Sequence, residues 1–228
     1  MWILINKEGA HKMEGGNRLS SINYKNSNTF TLPSEWADKD TNVVVNLRAK
    51  TPKQSSGFSI AKFVSIAESE ARKKTAWSIS NPEARKYTKP FEPYFGKNRI
   101  PWCSAFVYYC LTSCGIVLDT ECEFYPGYTY ALAECFQKLG QAKNWYYDNN
   151  GKQTPQVGDI ILFDWKQKNI HEPDYDHEDH IGVCISVKDN SIVCAEGNVS
   201  RTNASGIVTR YYPTIQGWLR IPSGTLTI

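Results

Sequence analysis

No apolar stretch in this sequence approaches the ~20 residues needed to cross a bilayer. The opening Met1-Trp-Ile-Leu-Ile-Asn-Lys7 turns polar too soon to be a secretory signal. The expectation is a chain made in the cytoplasm without a signal peptide, and without a membrane partner. Net charge is only +3, and Lys and Arg form no stripe. Their densest run, Arg72-Lys73-Lys74, falls at a predicted helix end, where cations suit the helix dipole. Nucleic acid is therefore not an expected partner. The seven cysteines, at 103, 110, 114, 122, 135, 184 and 194, include no CxxC pair, which excludes a zinc ribbon and a thioredoxin motif. They fit a reducing compartment and thiols that are mostly buried and inert. There is no internal repeat and no low-complexity tract.

What is present suits a folded domain with a small appendage: 228 residues, 41% hydrophobic and 21% charged. Residues 1–56 are rich in Asn, Ser, Lys and Gly. Short strand-like runs at Trp2–Ile5, Thr29–Leu32 and Val43–Leu47 predict a β-rich N-terminal extension, closed by the polar linker Thr51–Gly57. Residues 57–228 form the main domain. A helix is predicted from Ser59 to Lys73, because Ile60, Phe63, Val64 and Ala67 recur at helical spacing and Ser59 can cap the start. The proline-interrupted stretch 78–100 reads as an irregular loop. A second helix follows Pro101-Trp102, with Phe106, Val107, Cys110, Leu111 and Cys114 on one face and Gly115 as its stop. A third runs from about Tyr128 to Leu139 and ends at Gly140. Strands follow at Ile160–Trp165, His180–Val187, Ser191–Asn198, Ile207–Tyr212 and Gly217–Ile221. Helices first and consecutive strands later predict an α+β fold with an antiparallel sheet.

Cys103 stands where the second helix begins. A helix N-terminus carries partial positive charge and free backbone N–H groups, which favour a thiolate, the reactive form of cysteine. A cysteine taken at random is most often buried and inert. The helix start and a well-mounted histidine downstream set this one apart. Of the four histidines, His11 lies in the polar N-terminal segment, and His171 and His177 lie in a polar loop. His180 alone opens a clear strand, which gives a base a rigid mount. Glu196 and Asn198, at the end of the neighbouring strand, are each able to accept from the other ring nitrogen and hold its tautomer.

These pieces together resemble the CHAP family, the cysteine, histidine-dependent amidohydrolases and peptidases among the papain-like bacterial wall hydrolases. The resemblance rests on Trp102-Cys103-Ser-Ala-Phe-Val, Val157-Gly-Asp-Ile-Ile-Leu-Phe-Asp, Asp179-His180-Ile-Gly-Val, Ala195-Glu-Gly-Asn198 and Gly217-Trp-Leu-Arg-Ile-Pro222, in that order. It spans about Ser59 to Pro222, and residues 1–56 have no counterpart in it. It implies a papain-like fold with helices packed on an antiparallel sheet. It also implies Cys103 as nucleophile, His180 as base, and Glu196 with Asn198 as orienting residues. The implied substrate is peptidoglycan or a peptide, cut at an amide bond by an endopeptidase or an N-acetylmuramoyl-L-alanine amidase without a cofactor. Action would be at the cell wall after release or delivery. Trp102, Trp165, Tyr94 and Trp218 are the candidates to line a substrate groove. Two other readings stay open: a cysteine amidohydrolase or acyltransferase effector acting on a non-wall substrate, and a silent wall-binding module.

The acidic run His171–His180 offers carboxylates at Asp174, Asp176, Glu178 and Asp179. It lacks the calcium-loop pattern, so no metal is expected. The strand pair carrying His180 and Glu196 sets one further condition. Asp189-Asn190 looks like a two-residue turn. An unbroken ladder from that turn would put His180 and Glu196 on opposite faces of the sheet. The orienting role therefore requires an odd-numbered loop, or a bulge that shifts the register by one.

Overall fold

The computed structural model describes residues 2–6, 9–14, 17–22, 57–97, 100–165, 180–199 and 203–227. The chain divides into two compact units, Met1–Lys50 and Thr51–Ile228. In the first, β1 (Trp2–Asn6), β2 (Gly9–Glu14) and β3 (Asn17–Ile22) form an antiparallel meander in the order β1-β2-β3. The strands expected at Thr29–Leu32 and Val43–Leu47 lie outside the described residues, as does the loop 166–179.

The second unit begins with α1 (Ile60–Arg72), whose first turn is closed by the Ser59 side chain accepting from the Lys62 amide. Phe63, Ala67 and Ala71 form its buried face. The stretch expected as irregular contains two short helices, α2 (Pro82–Thr88) and α3 (Glu92–Phe95), linked by a 3-10 turn at Lys89–Phe91. Its prolines start helical segments: Asn81 caps α2 through the Glu83 amide, and Pro82 follows in the first turn, where its missing N–H costs nothing. α4 (Cys103–Cys114) is almost wholly buried and stops at Gly115, with φ 105°. α5 (Ala133–Ala142) starts later than expected and runs through Gly140. A Cβ on Gly140 would lie 2.8 Å from Leu219 Cδ1, so this glycine marks close packing on the sheet and not a helix stop.

Six strands form one antiparallel sheet in the order β4-β9-β5-β6-β7-β8. They are β4 (Tyr146–Asp148), β5 (Ile160–Phe163), β6 (His180–Lys188), β7 (Ser191–Val199), β8 (Ala204–Tyr211) and β9 (Ile215–Leu219). The α+β expectation holds; β4, only three residues long, was not foreseen. The sheet carries a core on each face. Ile160, Leu162, Ile181, Val183 and Ala195 join the helices in the larger one. Ile161, Phe163, Cys184, Ile192, Cys194 and Trp218 build the smaller one. Among the described residues, no helix is long and apolar enough to cross a membrane.

Candidate active site

α4 begins at Cys103, and no side chain caps its first turn. Its leading amides and the positive end of the helix are therefore free to act on the thiol. Trp102 fixes where this helix starts. Its ring is fully buried and stacks on Tyr87 at 5.3 Å, while Nε1 donates to Asn203 Oδ1 at 3.2 Å. Gly197 of β7 lets the helix approach: a Cβ there would come within 2.6 Å of Phe106 and 2.8 Å of the Trp102 ring. The start of α4 thus rests on the end of β7.

His180 opens β6 and pairs with Phe163 of β5. The turn at Asp189-Asn190 does have two residues, since Lys188 faces Ser191, but the ladder shifts register between Cys184 and Ser186. Ile185 is the extra residue. The bulge puts His180 on the same face as Glu196, whose Oε2 lies 2.8 Å from His180 Nε2. Gly182, between them in the ladder, leaves the room: a Cβ there would lie 2.7 Å from Glu196 Cγ. β7 pairs with β8 at Glu196 and again at Val199, leaving Asn198 in a second irregularity at φ 55°, with no hydrogen bond to His180.

The thiol of Cys103 and the imidazole of His180 lie near enough for each to shift the other. Burial pushes the thiol up, but its hydrogen bond to His180, the charge there and the Ser104 amide bring it below its ordinary value. Burial pushes His180 down, but Cys103 and Glu196 outweigh it and raise it to about 9. With Nε2 committed to Glu196, Nδ1 is left for the thiol. Glu196 itself is fully buried, which alone would favour its neutral form. Hydrogen bonds from Arg210 and His180 keep it below its usual value. This arrangement favours a thiolate–imidazolium pair at rest.

The other cysteines lack this setting. All seven are free and buried. Burial raises Cys110, Cys114, Cys184 and Cys194. Cys122 is lowered to about 6, chiefly by a hydrogen bond with Cys135, and the one histidine whose side chain is described, His180, is not among the groups that act on it. A cavity of about 730 Å³ opens on Cys103, lined by Tyr94, Phe95, Ile100, Tyr128, Leu132 and Ala133 among others. An acyl group attached to the thiol has space there.

The four aromatic groove candidates separate. Tyr94, 43% exposed, lines the cavity. Trp165, 41% exposed, lies 5.9 Å from the His180 ring and stacks on Phe163. Trp102 and Trp218 have no exposed surface and belong to the two cores, so neither is able to meet a substrate. Sequence reading missed Arg210 of β8. Its Nε donates to Glu196 Oε1 at 2.8 Å and its Nη2 to Oε2 at 2.5 Å. The available signal was a lone arginine in the apolar run Ile207–Tyr212. That signal points to Glu196 only once the β7–β8 register, Ile192 against Arg210, is known.

Residues 95–198 match the CHAP domain family model. No curated protein matches the chain. Among solved structures, the chain is similar to that described as the crystal structure of Ly7917, at 7% identity and a TM-score of 0.39. That match covers 73% of this chain and 63% of the other, and so spans under two thirds of its length.

Proposed function

We propose, from the match of residues 95–198 to the CHAP domain model, a family that is generally hydrolytic, that the chain is a peptidoglycan hydrolase cutting amide bonds through Cys103. The observation that carries the reading is the chain of contacts Cys103–His180–Glu196 beside an open cavity. The Cys103 thiolate attacks the amide carbonyl. Free amides of the first turn of α4 stabilise the oxyanion. The imidazolium of His180 protonates the leaving amine as the C–N bond breaks, which leaves an acyl-enzyme thioester. Neutral His180 then takes a proton from water, the hydroxide attacks the thioester, and the carboxylic acid and the thiolate–imidazolium pair are released. Glu196 holds the ring in the tautomer that serves both steps.

The test is incubation with purified peptidoglycan, with new termini identified by mass spectrometry. New amines and carboxylates are expected without new reducing sugar ends. Cys103→Ala should lower the rate by at least ~10³-fold while the protein stays folded, as removal of a nucleophile does elsewhere. Reducing ends without amines would refute the proposal. Wall binding that survives Cys103→Ala, with no cleavage by the unaltered protein, would leave only a binding module. Cleavage of non-wall amides alone would move the substrate elsewhere.

A further inference from the structure

We propose that Arg210 is a positioning residue of this site: it holds Glu196 ionised and aimed at His180, and through them sets the charge of Cys103. The inference rests on the hydrolase reading only for its bearing on turnover. Four groups follow one another with alternating sign: thiolate, imidazolium, carboxylate and guanidinium. They come from four elements, α4, β6, β7 and β8. Glu196 shows no surface at all, and its Oε2 is shared between His180 Nε2 at 2.8 Å and Arg210 Nη2 at 2.5 Å. Its Oε1 is taken by Arg210 Nε at 2.8 Å. Both carboxylate oxygens are thus fixed, and the side chain has no freedom to turn away from the ring.

Arg210 is itself clamped. Its guanidinium lies over Trp165 at 4.6 Å and over Phe163 at 5.3 Å, and these two rings stack on one another. The same rings flank His180, at 5.9 Å and 6.0 Å. One aromatic pair therefore supports the imidazole and the guanidinium together, and only the guanidinium edge is left for Glu196. Without Arg210 the remaining three charges sum to −1 in a water-poor setting. The least costly remedy is uptake of a proton, by Glu196 or by the thiolate. Either outcome weakens the nucleophile. Arg210 lies beyond the residues 95–198 that match the family model, so the match carries no information about it.

The test reads Cys103 directly and needs no substrate. Iodoacetamide labelling of the whole protein is followed against pH, with Cys103 quantified by peptide mass spectrometry. In the unaltered protein the labelling midpoint should lie below the ordinary thiol value. Arg210→Gln should raise it by about one pH unit, equivalent to roughly tenfold slower labelling on the acid limb. Arg210→Lys keeps the charge but loses the two-pronged fit and the stacking, so it should fall between the two. In a Glu196→Gln background the Arg210→Gln change should add little, because Arg210 acts through that carboxylate. In peptidoglycan assays Arg210→Gln should lower kcat with KM little changed. A folded Arg210→Gln protein with an unmoved midpoint would overturn the inference and leave a structural ion pair. If Arg210→Gln does not fold, an unmoved midpoint in Arg210→Lys overturns it equally. A shifted midpoint in a protein that cleaves no wall would uphold the inference and refute the hydrolase reading alone.

Discussion

The sheet holds two carboxylate–arginine pairs built alike and placed for different ends. At the start of β5, buried Asp159 is gripped by Arg220 of the segment after β9, through Nε at 2.9 Å and Nη2 at 2.8 Å, and Arg220 lies over Tyr147 at 4.9 Å. At the end of β7, Glu196 is gripped in the same way by Arg210, which lies over Trp165. Burial pushes both carboxyls up. It prevails at Asp159, which ends above its ordinary value, and loses at Glu196, which ends below. The difference is His180. Among the described residues Asp159 adds one backbone donor, the Gln156 amide at 2.7 Å, and ties the turn before β5 to the C-terminal end of the sheet. Glu196 adds a second cation, His180, and under the proposed function becomes part of a proton-handling chain. A bidentate arginine pair is structural by itself; a titratable third partner gives it a chemical use.

Neutralising each carboxyl tests that contrast most strongly. Glu196→Gln should cost on the order of 10²-fold in peptidoglycan turnover, the scale of losing an orienting partner of a catalytic base. Asp159→Asn should leave turnover nearly intact and cost about 2–3 kcal/mol in denaturant unfolding. That is below the ~3–5 kcal/mol for breaking a fully buried pair, because Arg220 reaches solvent. Equal effects of the two changes on turnover would erase the distinction.

The pH profile sharpens it. The active pair exists once the Cys103 thiol has lost its proton and while His180 keeps one. Activity should therefore rise on the acid side below the ordinary thiol value of 9.0 and fall as His180 deprotonates near 9. These limbs belong to the coupled pair, not to either group alone. Glu196→Gln removes the charge that favours imidazolium, so its alkaline limb should move to lower pH. Asp159→Asn should leave both limbs where they are. A Glu196→Gln profile that overlays that of the unaltered protein would show that the carboxylate does not sustain the pair.

A smaller effect is expected from Gly182→Ala. The added methyl meets Glu196 Cγ at 2.7 Å and should displace the carboxylate, lowering turnover by about tenfold. Gly206→Ala, on β8 opposite Glu196, meets only Val199 Cγ2, at 3.3 Å, and should change turnover little. If both alanine variants behave alike in kinetic assays, space around Glu196 is not what Gly182 supplies.

Much of this was legible in the sequence where signals are local. The Ser59 cap, the start of α4 at Cys103 and the strands from Ile160 onward follow from spacing and capping chemistry. The shifted register of β6 was legible for another reason: a required shared face for His180 and Glu196 left few ladders. Failures came where meaning depends on neighbours distant in sequence. Gly140 reads as a stop until Leu219 and Tyr146 are seen against it. Trp102 and Trp218 read as groove residues because an indole suits a core and a sugar face equally well. Prolines 82, 90 and 93 read as breakers although each sits in the first turn of a short helical segment. Arg210 gave no local sign of its partner, since the β7–β8 pairing that carries it toward Glu196 is invisible until the strands are aligned.

The bulge at Ile185 makes the site a matter of counting. A different side chain at 185 changes packing on a half-buried strand, but leaves the number of residues between the turn and His180 unaltered. Deleting one residue from this stretch, or inserting one, changes that number from odd to even or back. Loss of Ile185 itself would leave an unbroken ladder with the imidazole still on the Glu196 face, whereas a gain or loss that the bulge does not absorb makes every side chain beyond it trade places with its neighbour and takes the imidazole from both the thiol and the carboxylate. In this segment the spacing, more than the identity of the intervening residues, encodes the chemistry.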